Sequence, residues 1–117
     1  MPSLNFKDVF ADDVEFSRKR QTIRRKRRRP IREGDRLYLF TGMRTSRCRR
    51  LRNAIADDVV DIHINSVGVI ILGNEVLNWD DANKLAIDDG FENYAAFIDF
   101  FKANGGLPLE GQLIKWL

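Results

Sequence analysis

Six basic side chains in succession, Arg24-Arg25-Lys26-Arg27-Arg28-Arg29, are the densest chemistry in this 117-residue sequence. Cations packed so closely repel one another, and they gain free energy when a polyanion displaces their counterions. The run belongs to a larger asymmetry: Arg18 to Arg52 holds 16 Lys/Arg against the two acids Glu33 and Asp35, a surplus of 14. Asn53 to Leu117 holds 11 acids against three lysines, and residues 1–17 hold four acids against Lys7, so the net charge of +3 conceals a polarised chain. A single basic cluster reads equally well as a solvated loop or a localisation tag. Two further clusters, Arg44-Thr45-Ser46-Arg47 and Arg49-Arg50-Leu51-Arg52, favour nucleic acid. The candidate phosphate contacts are therefore Arg18, Lys19, Arg20, Arg24, Arg25, Lys26, Arg27, Arg28, Arg29, Arg44, Arg47, Arg49 and Arg50.

Nucleophilic and metal chemistry have less to work with. Cys48 is the one cysteine, which excludes an intramolecular disulfide and fits a reducing compartment. A nucleophilic Cys48 would need a base, and the one histidine, His63, lies in an alternating strand-like run, so an inert thiol is expected. One Cys and one His cannot make a structural zinc site, so neither metal nor cofactor is expected. Met1-Pro2-Ser3 and the early acids lack the basic segment and apolar stretch of a signal peptide. The longest apolar run, Val67-Gly68-Val69-Ile70-Ile71-Leu72, falls far short of the roughly 20 residues of a membrane span. A soluble, cytoplasmic protein without membrane contact is the expectation.

Periodicity predicts the strands and helices around these residues. Ser3 to Phe6 predicts a short strand, and Lys7 to Phe16 a helix with Val9, Phe10 and Val14 on one side. Between Ser17 and Pro30 only Ile23 is apolar, which predicts an exposed, partly extended basic loop over about 18–33. Glu33-Gly34-Asp35 is a turn signal before a strand at Arg36 to Phe40. The arginine-rich stretch from Thr41 to Arg52 predicts a loop or short helical turn. Strands follow at Ala54 to Ile64 and Val69 to Leu72. An acidic cap after Leu77-Asn78-Trp79-Asp80 opens a helix through Ile87, which Asp88-Asp89-Gly90 stops. A second helix spans about Asn93 to Ala103, and a last strand Gln112 to Trp116. Tyr38, Phe40, Ile62, Ile71, Phe97 and Trp116 are expected in one core, and Trp79 is expected to be a packing residue. Five or six short strands with two to three short helices predict a single domain over residues 1–117, of the α+β class, containing a small, strongly curved sheet or barrel.

The order of these elements resembles the ASCH domain, a small β-barrel related to the PUA domains of RNA-modifying proteins. Lys19-Arg20-Gln21-Thr22-Ile23-Arg24, Gly34-Asp35-Arg36-Leu37-Tyr38-Leu39-Phe40-Thr41-Gly42, Asp89-Gly90-Phe91 and Leu113-Ile114-Lys115-Trp116 carry the likeness. Tyr38 to Arg50 looks most like a phage or prophage branch. The resemblance implies RNA or nucleotide recognition in a cleft between the PUA-like barrel and the Lys-x-x-Thr loop, with Thr22 and Tyr38 reading the nucleotide. Some similar proteins are enzymes, an acetylcytidine amidohydrolase and RNA-cleaving members among them. In the amidohydrolase pattern a lysine, a threonine three residues on and a glutamate of the later helix act together. Lys19 and Thr22 match the first two, whereas the glutamate falls on Ala96, leaving Glu92 or Asp99 as substitutes.

A threonine hydroxyl needs a base, and a lysine serves only with a lowered pKa. Crowding by Arg18, Arg20 and Arg24 would act in that direction on Lys19. The same crowding suits phosphate binding, and without the carboxylate the binding function leads. The alternative is a hydrolase of RNA or a modified nucleoside using Lys19 and Thr22. DNA is the weaker partner, because a helix-turn-helix around Asp88-Asp89-Gly90 would present Glu92 and Asp99 against Lys102 alone. Arg24 to Arg29 also fit a flexible arm that folds on an RNA hairpin or an acidic protein.

Overall fold

The computed structural model describes residues 2–117. Strand β1 (Ser3–Phe6) alternates from its first residue, with Leu4 and Phe6 buried and Ser3 and Asn5 in solvent. Helix α1 (Asp8–Glu15) follows, with Asp8 in its first turn and Ala11 and Val14 turned inward. Val9, expected on that inner side, is 75% exposed, because the Ala11–Val14 stripe rather than Val9 meets the sheet.

The predicted loop contains a strand. β2 (Gln21–Arg25) pairs antiparallel with the last strand, Gln21 opposite Lys115 through Arg25 opposite Gly111. Its signal was masked because two of its three buried side chains, Gln21 and Thr22, are polar and owe their burial to tertiary partners. The approach is close enough that a Cβ on Gly111 would run into the Arg24 carbonyl, so that position requires glycine.

β3 (Arg36–Thr41) runs parallel to β1 and antiparallel to β4 (Arg49–Ile64). Arg49 to Arg52, read as loop, thus open a 16-residue strand, because backbone pairing with β3 outweighs their side-chain charge. β5 (Ile70–Leu72) and the two-residue β6 (Glu75–Val76) follow. α2 (Trp79–Asp88) and α3 (Tyr94–Ala103) are each capped by an asparagine: the Asn78 side chain accepts from the Asp81 N–H at 2.8 Å, and Asn93 from Ala96 N–H at 2.9 Å. β7 (Leu109–Trp116) returns alongside β2 and β4.

The long β4 joins two halves of one sheet. Its first half joins β1 and β3, and its second half pairs with β7 on one side and β5 on the other. The class is α+β, with three helices and, among the described residues, seven strands rather than five or six. The sheet is also open: β1 and β2 are outer strands, and no ladder joins them among the described residues.

Two apolar clusters fill the interior. One gathers Ile62, Ile64, Leu109 and Leu113 against Ala86, Phe97 and Phe101 of the helices. The other gathers Leu4, Phe6, Leu37, Leu39 and Trp116 under Ala11 and Val14. The single core expected from sequence is therefore divided, Ile62 and Phe97 in one cluster and Trp116 in the other. Tyr38, Phe40 and Ile71 are only half-buried. Tyr38 and Phe40 alternate with Leu37 and Leu39, so they occupy the opposite face of β3 from the core. Trp79 begins α2 and is 66% exposed, with one edge-on contact to Tyr94. No helix among the described residues is long and apolar enough to cross a membrane.

Candidate nucleic-acid interface

The open seam between β1 and β2 is where the basic residues divide. On its inner side Lys19 is buried, although the sequence placed it on an exposed loop. Its ammonium donates to the Asp89 carbonyl at 2.5 Å and stands 3.4 Å from the Asp89 carboxylate. Gln21 reaches the same helix end, donating to the Leu85 carbonyl at 3.4 Å and to Asp89 Oδ1 at 3.3 Å. The Leu85 carbonyl already accepts the Asp89 N–H at 3.0 Å, so Gln21 is its second donor, whereas Lys19 partners the Asp89 carbonyl beyond the last turn and brings a cation to the negative end of the dipole. Burial lowers the Lys19 pKa and raises that of Asp89, and their mutual attraction works against both shifts. Arg24 adds a smaller lowering effect on Lys19, so burial rather than arginine crowding is the leading cause.

Lys19, Thr22 and Asp89 line a cavity of about 90 Å³ together with Phe10, Phe91 and Phe100. The acid beside the Lys-x-x-Thr segment therefore comes from the end of α2, not from α3. Ala96 does not line the cavity, nor do the exposed Glu92 and Asp99. Sequence reasoning took Asp89 for part of a helix stop. A carboxylate at a helix C-terminus opposes the dipole, and that mismatch was the available signal that a buried cation must face it.

Arg24 spans the seam. Its Nη2 donates to the Asn5 carbonyl at 2.7 Å, its Nε to the Thr22 hydroxyl at 3.2 Å, and its guanidinium lies 4.7 Å from the Phe6 ring centroid. Burial pulls its pKa down to about 10, which leaves it charged at neutral pH.

Outside the seam a groove of about 500 Å³ is lined by Ser3, Leu4 and Asn5 of β1, by Arg24, Arg25 and Arg27, and by Met43 and Arg44 of the β3–β4 connection. A second, of about 750 Å³, is lined by Arg27, Arg28, Arg29, Arg32 and Arg36 with Pro2, Ile31 and Asp35. Arg27 belongs to both. Asp35 is the one carboxylate on either lining, and its side chain accepts the Arg32 backbone N–H at 2.9 Å. Lys26 and Arg27 line a third cavity, of about 430 Å³, with His63 and the carboxylates Asp61 and Glu110.

The remaining predicted contacts lie apart from these grooves. Arg18 pairs with Asp13 at 2.7 Å, and Arg49 with Glu15 at 2.7 Å, so α1 neutralises part of the basic half. Arg20 donates to the Ser17 carbonyl at 2.9 Å, while Arg25 also ties Asn104 and Gly106 carbonyls to β2 at 2.9 and 2.7 Å. Arg47 is exposed in the β3–β4 connection, and Arg50 lies over Tyr38. Cys48 precedes β4 and His63 sits near its other end, 3.6 Å from Glu110, so the two do not meet. Among the described residues no three His, Cys, Asp or Glu side chains are grouped to hold a metal ion.

No protein-family profile matches the sequence, and no curated protein matches it. Among solved structures the fold is similar to the crystal structure of ASCH from Zymomonas mobilis, with a TM-score of 0.60 at 10% identity. The superposition covers 98% of this chain and 65% of that one, so this chain spans about two thirds of its length. At such low identity the likeness speaks for the fold alone.

Proposed function

We propose that this protein binds RNA, holding the phosphate backbone along the two arginine-lined grooves outside the β1–β2 seam. One observation carries the proposal: the grooves meet at Arg27 and together present eight arginines and a single carboxylate. Arginine offers planar, bidentate hydrogen bonding to phosphate, and a concave surface of one sign concentrates a polyanion. The ASCH-like fold adds support by analogy. Arg28 and Arg29 are exposed and Arg27 half-exposed, so all three are open to phosphate, whereas Lys19 is engaged inside the seam. Fluorescence anisotropy with a labelled single-stranded RNA and its DNA counterpart tests the partner. RNA is expected to bind the tighter of the two, and equal affinity would reduce the proposal to nucleic acid in general.

The shared cavity of Lys19, Thr22 and Asp89 favours a second function, hydrolysis of a modified nucleoside such as acetylcytidine. In that account Lys19, its pKa lowered by burial, takes the proton of the Thr22 hydroxyl, and Asp89 positions the lysine. At about 90 Å³ the cavity is well below the usual 300–1,000 Å³ of a small-molecule site, so Arg24 would have to leave Asn5 before a nucleoside entered. Binding is therefore the stronger conclusion. Turnover of acetylcytidine that disappears in both Lys19→Ala and Thr22→Ala would reverse that order.

A further inference from the structure

The outward face of the β1–β3–β4 sheet carries aromatic rings where a half-buried strand ordinarily presents polar groups. On β3, Arg36, Tyr38 and Phe40 face away from the core while Leu37, Leu39 and Thr41 are buried. Register places Ser3 and Asn53 beside Tyr38, and Arg50 opposite Phe40. The Arg50 guanidinium lies 5.8 Å from the Tyr38 ring centroid and 5.6 Å from that of Phe40. These distances are near the outer limit of about 6 Å for a cation–π contact, so little is lost when Arg50 swings away to a phosphate. From Arg36 to Ala56 the chain has six arginines and no acid.

We propose that this face is a stacking platform for the bases of single-stranded RNA, with Tyr38 and Phe40 as the two stacking rings. The inference rests on the nucleic-acid function above and assigns the bases a place that the arginine grooves do not provide. Every base has a π-face, so ring stacking adds affinity with little sequence preference. The rings stand two residues apart on one strand, about 6.6 Å along it. That is roughly twice the 3.4 Å rise of a strand within a duplex, so neighbouring nucleotides reach both rings only when unstacked and extended. Duplexes are excluded on that geometry. Arg36 connects the two surfaces, because it lines the larger groove and also flanks Tyr38 on β3. Ser3 and Asn53 supply hydrogen-bonding groups at the rim, and Arg50 serves phosphate or stacks on a base from above.

Anisotropy titrations of an eight-nucleotide oligoadenylate, an abasic strand of the same length and a duplex test the platform. The wild-type protein is expected to bind oligoadenylate more tightly than either of the others. Tyr38→Leu and Phe40→Leu should each weaken oligoadenylate binding by about 5- to 150-fold, the range for loss of one base–aromatic stack. Neither change should alter affinity for the abasic strand or the salt dependence. Phe40→Tyr, which keeps the ring, should retain binding. Equal wild-type affinity for oligoadenylate and the abasic strand overturns the platform without needing any variant, and leaves phosphate binding in the grooves standing. If neither strand binds, both inferences fail.

Discussion

Lys19 and Arg28 lie nine residues apart in the same basic stretch and do opposite work. Lys19 is buried against the end of α2, where its charge meets Asp89 and its donors meet a helix carbonyl. Arg28 stands on the wall of an open groove among other arginines. Like charge in a sequence is sorted by the partner each side chain finds when the backbone pairs. β2 turns the residues around Thr22 inward, and after a last backbone bond from Lys26 to the Glu110 carbonyl the chain carries Arg28 and Arg29 into solvent.

The largest effect should come from breaking the buried side. Lys19→Met leaves the buried Asp89 carboxylate without its counter-charge, with only the Gln21 amide donating to it, and the loss of one member of a buried pair costs about 3–5 kcal/mol. Urea denaturation measures it. Removing both charges with Lys19→Met and Asp89→Leu should recover most of that loss, whereas a double variant as unstable as the single would show the cost to be packing. Next in size is Leu39→Ala, which empties a fully buried site and should cost about 2–5 kcal/mol by the same measurement. A value near zero would contradict the division of β3 into a core face and an outer face.

A smaller effect sharpens the same comparison through pH. Asp89 is raised above its ordinary 3.8, so between 3.8 and the folded value the native state holds a proton that the unfolded chain has released. Stability from this group is full below 3.8 and is lost as pH rises through the folded pKa. Lys19, lowered from 10.5, behaves oppositely at the alkaline end: its contribution is full above 10.5 and is lost as pH falls through the folded pKa. Urea midpoints across pH should show both trends, and Asp89→Asn should flatten the acid one. An unchanged acid limb in that variant would assign the trend to another carboxylate.

How much of this was legible in the sequence depended on whether apolar residues marked the period. β1, α3 and the end of β4 at Ile62 and Ile64 follow their hydrophobic alternation or helical spacing, whereas Ile55 is exposed ahead of an irregularity between Ala56 and Asp58. β2 could not be seen that way, since Ile23 is its only apolar residue and its remaining inward positions are Gln21 and Thr22. The arginines opening β4 hid four strand residues for a similar reason. Tyr38 and Phe40 read as core residues by their aromatic type. The Leu37–Leu39 alternation already placed them on the other face. Asp89 was missed because its partner lies 70 residues away in sequence, a pairing that no local pattern encodes.

The proposed division of labour, with the exposed arginines beyond β2 holding phosphate and the buried Lys19 holding the end of α2, stands or falls on one titration. Binding of a single-stranded RNA is measured against salt for the wild type and for a variant carrying Arg27→Ala, Arg28→Ala and Arg29→Ala together. Each phosphate contact on a single strand contributes about 0.7 to the slope of log affinity against log salt. The wild type should therefore fall steeply with salt, the variant should lose about 2 from that slope, and its urea midpoint should stay close to that of the wild type. An unchanged slope, or a variant that no longer folds, would contradict the account.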